Sequence, residues 1–166
     1  AQFMLGESSF HNEDYITAAY EYDRVYKDYP SSIHAEEARY KRALCYYNES
    51  PKASLDQENT ILAMDEFLRF LDNFPRSDFA DEAQERLDEL SEKLAFKEYR
   101  NAEIYRKLKK YDAAIQYYRF VIKDYPRSVW ADESQYGIGV VYLKQKNYEK
   151  AKEVFQRIVS TNVSEE

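Results

Sequence analysis

One string occurs three times in this chain and constrains its fold more than any other feature. Tyr29-Pro30-Ser31-Ser32-Ile33-His34-Ala35-Glu36-Glu37-Ala38 returns as Phe74-Pro75-Arg76-Ser77-Asp78-Phe79-Ala80-Asp81-Glu82-Ala83. It returns again as Tyr125-Pro126-Arg127-Ser128-Val129-Trp130-Ala131-Asp132-Glu133-Ser134. An aromatic residue before a proline stops a helix, because proline disfavours helical geometry in its predecessor and cannot donate the next hydrogen bond. Ser32, Ser77 and Ser128 can each cap the helix that follows. The acids behind them suit the positive end of its dipole. Three copies in one order make this the boundary of a repeating helical unit.

Between the junctions the apolar residues keep helical spacing. Helices are expected over Gln2–His11, Tyr15–Lys27, Ile33–Tyr47 and from about residue 56 or 59 to Leu71. Asp14 is the expected cap of the second. From Asp78 to Lys109 neither glycine nor proline occurs, which predicts one helix of about 30 residues, roughly 45 Å long, with Ser91 the only candidate break. Further helices are expected over Ala113–Lys123, Trp130–Lys146 and Tyr148–Ser160, with a frayed tail over 161–166. The Pro51 loop, Asn48 to Gln57, reads as exposed, with few tertiary contacts and the first site of proteolysis.

A finer template links the copies. Ala102, Tyr105, Ala114, Tyr118, Val121 and Pro126 are spaced by 3, 9, 4, 3 and 5 residues. Gly6, Ser9, Ala18, Tyr22, Val25 and Pro30 repeat that spacing, and Gly139, Tyr142, Ala151, Phe155 and Ile158 follow it as far as they go. The copy running Ala43, Tyr46, Ala63, Phe67, Phe70 and Pro75 carries an eight-residue insertion around Pro51. A second insertion of 14 residues, close to four turns, lengthens the helix after Pro75 without rotating its face. Small residues let paired helices approach, and a single pair cannot bury its own apolar face, so pairs must stack. The expected fold is all-α: a tetratricopeptide-repeat-like solenoid of about four antiparallel helix pairs, with one long helix near residues 78–109. The units fall at about 1–30, 31–75, 76–126 and 127–160.

Composition removes several functions. A net charge of −7 without a basic stripe argues against nucleic acid. No run of about 18 apolar residues is present to span a membrane. His11, His34 and the single Cys45 form no metal-ligand cluster, and no phosphate loop or nucleophile elbow occurs. Acid pairs such as Glu36-Glu37 and Asp81-Glu82 fit helix starts better than acid–base catalysis. No cofactor, no metal and no enzymatic activity are expected, and Cys45 reads as a buried apolar residue. The helical superhelix of a peptidoglycan-cleaving enzyme remains a competing class, as does a coiled coil through Leu87, Leu90 and Leu94, although sustained heptads are missing.

Several stretches together resemble one family. They are Tyr29-Pro30-x-Ser32, Ala43-Leu44-Cys45-Tyr46-Tyr47, the Pro51 insertion with Asp56, and Phe70-Leu71-x-x-Phe74-Pro75-x-Ser77. With them go Leu94-Ala95-x-x-Glu98-Tyr99, Ala102-Glu103-x-Tyr105 and Tyr111-x-Ala113. The whole is similar to the outer-membrane protein assembly lipoproteins of the BamD family, and the two insertions are the specific part. That resemblance implies a non-catalytic scaffold on the periplasmic face of the bacterial outer membrane. The implied partners are the barrel-forming assembly factor and unfolded outer-membrane proteins. Membrane attachment would run only through a lipid anchor absent from this chain, because Cys45 lies mid-helix; a further C-terminal repeat is also expected to be missing. Another periplasmic repeat adaptor, coordinating envelope or division complexes, shares the Tyr-Pro-x-Ser junction.

Three residues before each template small residue stands an aromatic: Phe3, Tyr40, Tyr99 and Tyr136. Tyr47, Arg100, Arg106 and Lys107 fall one or two turns along. The candidate site is therefore a groove with an aromatic floor and a basic rim, for a peptide ending in a carboxylate. The competing reading is that these rings pack helix against helix.

Overall fold

The computed structural model describes residues 1–163, and among these every regular element is an α-helix. They are α1 (Gln2–His11), α2 (Tyr15–Asp28), α3 (Ala35–Asn48), α4 (Glu58–Asn73), α5 (Ala80–Lys107), α6 (Tyr111–Asp124), α7 (Val129–Lys144) and α8 (Tyr148–Val163). The contacts group into two compact units, Ala1–Leu90 and Ser91–Glu166. In the first, Ala18, Tyr22, Val25 and Ala38 form one buried cluster, and Tyr40, Ala43, Phe67, Phe70, Ala83 and Leu90 form another. In the second, Ala102, Ala114, Tyr118, Ile138 and Val141 make the core.

All three junctions share one hydrogen-bond pattern. The serine N–H donates to the carbonyl of Tyr29, Phe74 or Tyr125, and the alanine three residues on donates to the serine carbonyl. Each serine hydroxyl accepts from the N–H two residues later, at His34, Phe79 and Trp130. In the first two copies the α-helix proper begins only after this turn, at Ala35 and Ala80. In the third it begins directly after Ser128, where the Glu92 carboxylate also accepts from the Ser128 hydroxyl (2.9 Å) and the Val129 N–H (3.1 Å). That carboxylate meets one backbone N–H that the start of a helix leaves unpaired, together with the hydroxyl of the capping serine.

Template small residues sit where the partner helix comes closest. A Cβ on Gly6 would lie 2.7 Å from the Tyr22 ring, and one on Gly139 would lie 2.6 Å from Phe155. The template also carries a covariation. Where the ring on the second helix is tyrosine, the residue after the small one is glutamate: Tyr22 donates to Glu7 (2.5 Å), and Tyr118 donates to Glu103. Where it is Phe67 or Phe155, the equivalent residues are Leu44 and Val140. A buried hydroxyl needs a partner and a phenyl ring does not. Cations complete both tyrosine sites, Lys41 on Glu7 (2.6 Å) and Arg106 on Glu103 (2.8 and 2.6 Å).

The turns inside the uninterrupted pairs are also identical. Asp14, Lys110 and Asn147 each donate their N–H to the carbonyl five residues back. The preceding residues Glu13, Lys109 and Lys146 stand at φ of 60°, 59° and 61°. This is the Schellman ending with a side chain where glycine is preferred. Left-handed geometry costs an ordinary residue about 1 kcal/mol or more, so Lys109→Gly should raise the unfolding free energy by roughly 0.5–1 kcal/mol, net of glycine's entropy. Urea melts of the variant and parent test this; an unchanged or lower midpoint would show that Lys109 is not strained.

Several expectations need adjustment. Most helix limits differ from the sequence reading by one or two residues, and α8 runs to Val163 rather than ending near Ser160; residues 164–166 of the expected tail lie outside the described residues. Asp14 caps α2, accepting from the Thr17 N–H. Helix α5 passes Ser91 without a break. The Pro51 loop is less free than its composition suggests. Gln57 is buried, and its amide donates to the carbonyls of Lys52 (2.9 Å), Leu55 (3.0 Å) and Asp56 (3.2 Å), while its carbonyl accepts from Thr60. A side chain that satisfies three loop carbonyls holds the insertion in one shape.

The first unit also contains a buried ionic network joining α2, α3 and α4. Arg42 contacts Asp23 at 2.5 Å and Glu66 at 3.4 Å, and Arg39 contacts Glu66 at 3.3 Å. Arg39 lies over the Tyr26 ring, 5.0 Å from its centre. Both Arg39 and Glu66 are buried.

Candidate protein-binding surface

Three members of the aromatic column sit at the joins between helix pairs, the arrangement of the competing packing reading. Phe3 stacks on His34 with ring centres 4.4 Å apart, Tyr40 on Phe79 at 4.8 Å, and Tyr99 against Trp130 at 5.0 Å. Each partner is the junction residue two positions after the serine. The column rings thus bind one helix pair to the start of the next. Phe3 and Tyr40 are only 9% and 3% exposed, so neither forms the floor of an open groove. The Tyr40 hydroxyl lies beside Glu82 without reaching hydrogen-bond geometry, and burial first, then that carboxylate, raises its pKa. Tyr136 packs on Phe155 within its own pair and stays 57% exposed.

The other candidates divide by chemistry. Tyr47 donates to Glu89, and Arg86 lies over its ring at 5.1 Å. Arg106 is held by Glu103 through two hydrogen bonds, so its charge is spent within the unit. Arg100 and Lys107 are exposed. Arg100 lies 5.8 Å from the centre of the Phe96 ring, and Phe96 meets Trp130 at 4.7 Å. Within the second unit, Phe96, Tyr99 and Trp130 therefore make a half-buried aromatic platform with Arg100 beside it. Sequence reasoning missed Phe96 and Trp130. Phe96 stands three residues before Tyr99 on the same helical face, and Trp130 is part of the repeated junction, so both signals were present.

Planar aromatics and an arginine are residue types enriched at protein contacts. The model of the YfiO family, described as outer membrane lipoprotein, matches residues 1–136, including both insertions. The chain belongs to this outer membrane lipoprotein family. A tetratricopeptide-repeat model matches residues 133–162. The outer membrane protein assembly factor BamD of Caulobacter vibrioides is 26% identical over 149 residues, covering 90% of this chain and 49% of that protein. Its namesake from Rickettsia prowazekii is 28% identical over 152 residues, covering 92% of this chain and 61% of its own length. The chain thus spans half to three fifths of these relatives. The crystal structure of MamA protein covers 96% of this chain and 88% of its own at 16% identity, with a TM-score of 0.37, too loose a likeness to bear on fold or function. Neither the family's description nor the relatives' names carry a catalytic activity. Among the described residues no helix is long and apolar enough to cross a membrane.

Proposed function

We propose that this protein is a non-catalytic scaffold of β-barrel outer-membrane protein assembly, working at the periplasmic face of the outer membrane. Its partners in this reading are the barrel-forming assembly factor and unfolded outer-membrane proteins. The observation that carries the proposal is the family match across residues 1–136, because it includes the Pro51 insertion and the long α5 that ordinary tandem repeats lack. Within the second unit the client contact is the platform of Tyr99 with Phe96 and Trp130, with Arg100 and Lys107 supplying positive charge for a terminal carboxylate. Phe3 and Tyr40 act by holding helix pairs together, and Tyr47 and Arg106 by pairing with Glu89 and Glu103.

Titrating the protein with a labelled peptide from the terminal strand of an outer-membrane β-barrel protein tests this directly. Tyr99→Ala and Arg100→Ala should each weaken binding by about 1–2 kcal/mol, the scale of an interface hot spot. Tyr40→Ala should instead lower the melting temperature. If the peptide does not bind, or binds equally to all three variants, the client role falls.

A further inference from the structure

The two units contain the same groove, filled differently. It lies between the second helix of one pair and both helices of the next. Positions in α6 and α7 stand 96 residues after their equivalents in α2 and α3 (Tyr22 to Tyr118, Ala43 to Gly139), and those in α8 stand 88 after α4 (Phe67 to Phe155). By that register Asp23, Arg42 and Glu66 correspond to Arg119, Ile138 and Val154, and Arg39 corresponds to Gln135. The ionic network that fills the groove in the first unit is therefore absent from the second. In its place is a cleft of about 560 Å³ between α6, α7 and α8. Ile122, Ile138 and Val154 form its floor, while exposed Arg119, Lys150 and Arg157 stand at its edge with one carboxylate, Glu153. A second cavity of about 680 Å³ shares Arg119, Tyr142 and Lys150 and continues the cleft along the α7–α8 turn. Arg119 has no ion pair among the described residues. In the first unit the equivalent of this continuation is a cavity of about 320 Å³, where Asp23 meets Arg42.

An apolar floor with cations at its edge, on a chain of net charge −7, selects for the acid that the register has removed. We propose that this cleft docks a segment of another protein that seats an apolar side chain over Ile122, Ile138 and Val154 and presents carboxylates to Arg119 and Lys150. The partner supplies what Asp23 and Glu66 supply internally in the first unit. Lys150 is pre-placed for this, its ammonium 5.6 Å from the centre of the Tyr142 ring. Rows of phosphate are a poor match, because three cations flank an apolar centre and an acid sits among them. The inference stands on the cleft and the register, independently of the assembly role.

The test is fluorescence anisotropy with a dye-labelled, end-capped peptide alternating leucine and glutamate, its lysine-for-glutamate counterpart, and phosphatidylglycerol vesicles. The acidic peptide should bind, and more weakly as salt rises. Arg119→Asp should weaken it about ten-fold or more, since like charges then face each other. The triple variant Arg119→Asp/Ile138→Arg/Val154→Glu, which restores the network of the first unit, should lose binding altogether. Should it fail to fold, Arg119→Asp, at an exposed position, decides alone. No binding of the acidic peptide to the parent protein, equal binding of the lysine peptide, or indifference to Arg119→Asp would overturn the proposal. So would vesicle binding that Arg119→Asp abolishes while neither peptide binds, since the cleft would then be a lipid site. The outer-membrane strand peptide and the Tyr99 and Arg100 variants address a different surface, so either idea can fail alone.

Discussion

Replacing Glu66 by alanine should destabilise the first unit by about 3–5 kcal/mol, the cost of breaking a buried ion pair from one side. Glu66 is buried and is contacted by Arg39, which is equally buried, by Arg42 and, at 3.8 Å, by Arg69. Without it, Arg39 keeps the Tyr26 ring beside it, a weak substitute for a carboxylate. Removing both charges avoids that penalty, so Arg39→Met with Glu66→Met should cost far less than the single change. Urea unfolding of the parent, the single and the double variant gives the comparison. A loss below about 1 kcal/mol for Glu66→Ala, the range of surface pairs, would show that water screens the network.

Tyr118→Ala should cost the second unit a similar amount, about 3–5 kcal/mol, as other large-to-small changes of fully buried rings do. The ring is inaccessible and lies against Gly137, where a Cβ would come within 2.5 Å of it. The covariation sharpens the test. Tyr118→Phe alone should cost about 1 kcal/mol, because it removes a hydrogen bond to Glu103. Tyr118→Phe combined with Glu103→Leu, the pairing found at Phe67 and Leu44, should recover most of that. The pH dependence follows from the same carboxylate. Arg106 first, and then the Tyr118 hydroxyl, outweigh burial and hold the Glu103 pKa below its ordinary 4.5. A lowered folded-state pKa contributes stability that is present above the unfolded value and disappears as pH falls through the folded one. The parent should therefore lose stability below about pH 4.5, and Glu103→Gln should lose less over that window. Equal acid sensitivity of the two proteins would remove Glu103 from the account.

The helix pairs and their order were legible in the sequence because their determinants are local. Proline stops a helix within one residue, a serine caps it within three, and apolar spacing marks the inward face. Helix ends were less sharp, since the turns after Ser32 and Ser77 delay the α-helix in a way the same serine at 128 does not. The division at Leu90 falls inside an unbroken helical pattern, so no change of composition marks it. The column of Phe3, Tyr40 and Tyr99 was visible as a period but its stacking partners were not, because His34, Phe79 and Trp130 belong to the following helix pair. The buried amide of Gln57 was illegible for another reason. A glutamine in a polar loop is unremarkable until its neighbours' carbonyls turn toward it. The contrast of Asp23, Arg42 and Glu66 with Arg119, Ile138 and Val154 could have been read from the register, but only geometry shows that the three positions converge.

Cys45 is the chain's single thiol, and it lies inside the first unit at 1% exposure, with burial pushing its pKa up to about 12. A thiol so placed is almost wholly protonated at neutral pH and shielded from reagents, so it reacts only when the surrounding helices part. Alkylation therefore works as a clock for one half of the molecule. Its rate under native conditions counts openings around Ala18, Tyr22 and Ala38, with no second cysteine to blur the signal, and a ligand that tightens those helices would slow the clock without touching the sulfur.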